Sequence, residues 1–120
     1  MSDLEILKWL ENSKLVKSFE VVEFRHDLSA RYLKLNIFLI DDSALYTKEY
    51  IDEKDRNYSF HWQNKNGELI IRWDNAPHHR ALATYPHHLH LRKEENIKES
   101  TTISLHEVFS YIEMHIDSID

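Results

Sequence analysis

The pair Asn66-Gly67 restricts this chain more than any other two residues. Asn and Gly adopt the left-handed backbone that a two-residue antiparallel turn demands, so the segments on either side should pair. With those two as the loop, Lys65 faces Glu68, Trp62 faces Ile71 and Phe60 faces Trp73. Side chains alternate across a strand. One face therefore collects Phe60, Trp62, Leu69, Ile71 and Trp73 and reads as core. The other carries Ser59, His61, Gln63, Ile70, Arg72 and Asp74, with His61 opposite Arg72 and Asp74 two residues further along.

The same period of two extends upstream. Leu33, Leu35, Ile37 and Leu39 alternate with Tyr32, Lys34, Asn36 and Phe38, a half-buried strand. Asp41-Asp42-Ser43 is a turn and Ala44–Ile51 the next strand. Val16–His26 is a further strand whose inward face switches near Val21-Val22, the mark of a bulge. Asp52–Arg56 reads as a solvated turn. Each end of the chain reads instead as a helix. Ser2 with Glu5, and Ser104 with Glu107, have the spacing of a capping box. Leu4, Leu7 and Leu10 follow the first at helical spacing, and Leu105, Val108, Phe109, Ile112 and Ile116 follow the second. These elements predict an α+β fold, one antiparallel meander of about five or six strands with a helix at each end. No repeat, low-complexity tract or linker interrupts residues 1–120, so a single domain is expected.

Composition narrows the functional classes. The chain has no cysteine, which removes disulfides, thiolate nucleophiles and Cys-ligated zinc and suits a reducing compartment. The N-terminus lacks a signal peptide's basic region and apolar run, and no window approaches the ~20 apolar residues of a membrane helix. A cytoplasmic protein without membrane attachment is the expectation. The formal charge of −6 argues against a broad basic face for nucleic acid. The histidines, counted neutral in that figure, still permit a local positive site.

That site is visible in the chain. Six of the nine histidines (His61, His78, His79, His87, His88 and His90) fall between positions 61 and 90, with Arg72, Asp74 and both prolines. Asn75-Ala76-Pro77 is a turn that delivers His78-His79. Pro86 keeps His87-His88-Leu89-His90 extended, so His88 and His90 share one face and His87 and Leu89 the other. Three readings follow. In the first, His61 and His78 or His79 are general base and acid, Arg72 holds a phosphate and Asp74 orients a histidine, an arrangement suited to cleaving RNA. His88 lines the same pocket. In the second, His88 and His90 at i, i+2 on a strand hold a divalent metal, completed by His78, His79 or Asp74. In the third, one or two histidines are hydrogen-bonded spacers, and Trp62 and Trp73 are core. His26, His106 and His115 lie outside the cluster. Tyr32, Phe38, Tyr46 and Tyr50 would form a partner surface if their sheet face is open.

The run His61-Trp62-Gln63, Gly67, Leu69-Ile70, Arg72 through His79, then Pro86-His87-His88 and His90, resembles the TumE family of toxin–antitoxin proteins. The resemblance covers about residues 30–118 and leaves 1–29 unmatched. It implies the toxin of a type II toxin–antitoxin pair, neutralised by direct contact with a helix-turn-helix antitoxin. RNA as substrate comes from the Arg/His chemistry, with no cofactor needed unless the metal reading holds. The alternatives are a non-enzymatic interaction module and a His-ligated, metal-dependent hydrolase. The sequence leaves room for a homo-oligomer.

Overall fold

The computed structural model describes residues 2–117. Helix α1 (Asp3–Asn12) leads into strands β1 (Val16–His26), β2 (Arg31–Leu39), β3 (Ala44–Ile51), β4 (Arg56–Gln63), β5 (Leu69–Asp74), β6 (His88–Leu91) and β7 (Ile97–Glu99). Helix α2 (Leu105–Asp117) closes the chain. All neighbouring strands pair antiparallel in sequence order, so the expected meander is present with seven strands rather than five or six. The extra element is β7. At three residues, Ile-Lys-Glu beside a run of charges, it offers no alternation to read.

The hairpin turns repeat by position. At one end of the sheet, Asp27 and Asp52 each accept two backbone N–H groups through Oδ1, closing the β1–β2 and β3–β4 turns. Those N–H bonds hold both carboxyls below the usual aspartate range. At the other end, Leu39 O accepts from Asp42 N and Asn64 O from Gly67 N, with Asp42 and Gly67 at φ +68° and +80°.

The β4–β5 connection therefore differs from the expected two-residue turn. Asn64 N donates to Glu68 O, which makes a three-residue loop, Lys65–Gly67, with only Gly67 left-handed. Asn64 Oδ1 accepts from the N–H groups of Asn66 and Glu68 and favours this turn locally. The register still agrees from Trp62 onward. The pairing shifts between Gln63–Leu69 and Trp62–Ile71, so Ile70 is an extra residue that cancels the longer loop. Phe60 pairs with Trp73 and His61 with Arg72, as the alternation requires. A second expected irregularity, the bulge of β1, falls between Val21 and Glu23.

One face of the sheet is the core. Leu33, Leu35, Ile37, Leu39, Leu45, Phe60, Trp62, Ile71 and Trp73 are buried there beneath both helices. Helix α2 contributes Val108, Phe109, Ile112 and Ile116, and its capping box is complete: Ser104 N donates to Glu107 Oε1, and Glu107 N to Ser104 Oγ. Helix α1 buries Ile6 and Leu10, while Leu4 lies outward at 63% exposure, so the expected Leu4–Leu7–Leu10 stripe is rotated. Trp9 packs on Phe109 at 4.5 Å and ties the helices together. Among the described residues, no helix lies over the opposite face. That face carries half-buried Tyr32, Phe38, Tyr46 and Tyr50, then His61, Arg72, Asp74, His88 and His90 toward the far edge. Among the described residues, no helix is long and apolar enough to cross a membrane.

A histidine cluster on the open face of the sheet

Strand register builds this site. On β5 and β6, Arg72 pairs with His90 and Asp74 with His88, so four polar side chains stand in two rows on one face. Arg72 pairs on its other side with His61, whose ring lies 6.1 Å from Tyr46 on β3. The 75–87 segment then folds back over the β6 end. His79 N-terminal to the Leu82 turn brings its ring edge-on to His88 at 4.7 Å and to His90 at 5.9 Å.

His88, His90 and Asp74 are buried, at 2%, 6% and 7% exposure. Asp74 is the hub. Its carboxylate accepts from Ala76 N at 3.0 Å and Arg72 Nε at 3.3 Å. It also lies 2.9 Å from His88 Nε2 and 3.4 Å from His90 Nε2. The other nitrogen of each ring faces a carbonyl, which can only accept. His88 Nδ1 is 2.9 Å from Pro86 O and His90 Nδ1 2.7 Å from Glu94 O, so both Nδ1 atoms carry the proton.

A neutral imidazole has one N–H. With it at Nδ1, both Nε2 atoms point a lone pair at a carboxylate, which is repulsive unless something positive lies between. Two protons would serve, but they would make adjacent imidazolium rings with centroids 5.0 Å apart. Like charges at that separation repel by about 3 kcal/mol at an effective dielectric of about 20, and Arg72 adds a third cation, while the single Asp74 carboxylate at 2.9 and 3.4 Å is the counter-charge all three would share. One metal ion would use the same lone pairs. His79, His88 and His90 each bring a ring nitrogen within 4.8 Å of the others.

The remaining residues take other positions. Arg72 gives its outer nitrogens to Glu94 in a two-pronged ion pair that sequence reasoning missed, since Glu94 sits in a run of charges with nothing to mark it. The pair holds Glu94 below and Arg72 above their ordinary ranges, each chiefly through its bond to the other. His61 Nε2 lies 3.1 Å from Gln63 Oε1, an acceptor, which leaves Nδ1 with the lone pair. Burial pushes the His61 pKa below its ordinary value, opposed by the Gln63 bond and assisted by Arg72.

His78 is exposed at the rim, 6.5 Å from the His79 ring. His87 points to the core side, as the alternation expects, and its Nδ1 is 2.8 Å from the Tyr58 hydroxyl. Burial raises the Tyr58 pKa, so the hydroxyl stays a donor, and burial lowers that of His87, which accepts. That pair anchors the loop. The structure thus gathers His79, His88, His90, Asp74 and Arg72, sets His61 one strand away, and leaves His78 at the edge.

The family model described as Toxin TumE matches residues 6–116, nearly the whole chain, and extends upstream of the segment whose motifs resemble the family. The chain belongs to the TumE toxin family. Membership assigns it a toxin's role and implies an antitoxin partner. No curated protein and no solved structure matches it.

Proposed function

We propose that this TumE toxin cleaves RNA on the open face of its sheet and is silenced by direct contact with a helix-turn-helix antitoxin. The observation that carries the reading is the row His61–Arg72–His90, which sets a neutral imidazole, a guanidinium and the histidine cluster side by side on adjacent strands. His61 Nδ1 takes the proton of the attacking 2′-hydroxyl. Arg72, released from exposed Glu94, bonds the phosphate and offsets the charge that builds on it. His78, at the rim, returns a proton to the leaving oxygen. His88 and His90 are too buried to touch a substrate and act through Asp74 and Arg72. Tyr32 and Tyr46 supply ring faces on which unpaired bases can stack.

Incubating the purified chain with RNA tests this. Wild type is expected to cut, and His61→Ala to cut about 10²- to 10⁴-fold more slowly, the usual worth of a positioned base. The base must be neutral, and burial holds its pKa below 6.5. The acid-side fall in activity, where His61 protonates, is therefore expected below 6.5. No cleavage by wild type at any pH would refute the reading. The half-buried tyrosines favour a second one, a module that blocks its target by binding. In that case Tyr32→Ala and Tyr46→Ala, rather than His61→Ala, abolish toxicity.

A further inference from the structure

We infer that His79, His88 and His90, beside the Asp74 carboxylate, form a binding site for one divalent first-row transition ion, zinc being the natural occupant. Three independent features converge on it. Three ring nitrogens lie within 4.8 Å of one another, close enough for modest side-chain rotation to bring them onto one ion. Both buried rings are already oriented as metal ligands are, with Nδ1–H given to a backbone carbonyl and Nε2 turned inward. The His79 ring, half-buried above them, has no hydrogen-bond partner among the described residues, so its nitrogen is available.

The donor set selects the ion. Three imidazoles suit zinc and its first-row neighbours, whereas magnesium and calcium take oxygen ligands. Arg72 Nε and Ala76 N already hold Asp74, so the carboxylate is fixed in position before any ion arrives. His79, half-buried, closes the site toward solvent, while the rings of His88 and His90 are buried. Neither His78, exposed at the rim, nor His87, on the core side, belongs to that group. The His-rich sequence could otherwise bind metal loosely through exposed rings. Burial of His88 and His90 makes a different prediction, one tight site per chain.

This inference stands apart from RNA as substrate. Metal can bind whether or not the chain cuts RNA, and acid–base cleavage by His61 and His78 requires no ion. The test is a titration of chelator-stripped protein with Zn²⁺ followed by calorimetry, and with Co²⁺ followed by visible absorption. Wild type is expected to take one equivalent, with the intense d–d bands of a low-coordinate cobalt site and a raised Tm. His79→Ala, which removes a half-buried ligand without opening the core, should weaken binding at least tenfold and reduce those bands. His78→Ala should leave affinity and spectrum unchanged. Failure of wild type to bind either ion would overturn the site. So would equal weakening by His78→Ala and His79→Ala, because that would mark adventitious binding by surface histidines.

Discussion

Asp74→Ala is expected to lose about 3–5 kcal/mol of stability, the cost typical of removing one partner from a buried charge network. Few single changes in this chain should cost more. Asp74 sits beneath the loop, and four groups lean on it: Ala76 N, Arg72 Nε, His88 Nε2 and His90 Nε2. Without the carboxylate, Arg72 is left with one partner, and the positive charge that must lie between Asp74 and the two Nε2 atoms loses its counter-charge. The Ala76 contact is also what turns the chain into Asn75-Ala76-Pro77, so the 75–87 loop should loosen with the site. A domain of this size has roughly 5–15 kcal/mol in total, and a loss of that order would leave a measurable unfolded fraction at 37 °C. Asp74→Asn keeps an acceptor for Ala76 and should cost less. Urea denaturation of both variants measures the difference, and values within about 1 kcal/mol of wild type would show that the network contributes little.

Arg72 and Glu94 should behave oppositely. Arg72→Lys is expected to lower RNA cleavage about 10²- to 10³-fold, the usual effect of removing a charged donor from a developing anion, since a lysine cannot span two oxygens. Glu94→Gln should move the other way and tighten RNA binding several-fold. The Glu94 side chain is 60% exposed, so water screens its bond to Arg72 and a phosphate can displace it. On the proposed reading, Glu94 holds the place that the phosphate would take. A cleavage assay reads Arg72→Lys, and filter binding of RNA reads Glu94→Gln. Weaker binding by Glu94→Gln would mean that Glu94 positions Arg72 rather than occupying it.

Much of this arrangement was legible because the sheet is a plain meander. Alternation on β4 and β5 placed His61 against Arg72 and Asp74 beside them, and i, i+2 spacing put His88 and His90 on one face. Asn66-Gly67 suits a two-residue turn but lies in a three-residue loop, and the Ile70 bulge restores the register. A two-residue repeat tolerates that kind of local error when a buried face enforces alignment. What stayed hidden depended on the 75–87 loop and on β7. Nothing in Pro77-His78-His79 says which histidine turns inward, because that choice follows from how the loop closes over β6. Glu94 was equally opaque, since its partner lies 22 residues away. The Leu4 side of α1 misled for a related reason: a single helix pattern fits either face until α2 fixes one.

The most direct test is induced expression in cells of wild type, His61→Ala and His78→Ala, each with and without the antitoxin, followed by growth and antitoxin capture. The toxin role follows from the family; the placing of its action on this face is what the experiment decides. Wild type should arrest growth and be rescued by antitoxin. Both variants should fail to arrest growth while still capturing antitoxin at wild-type strength, which would separate the poisoning site from the docking surface. Growth arrest by His61→Ala and His78→Ala equal to that of wild type would contradict the account.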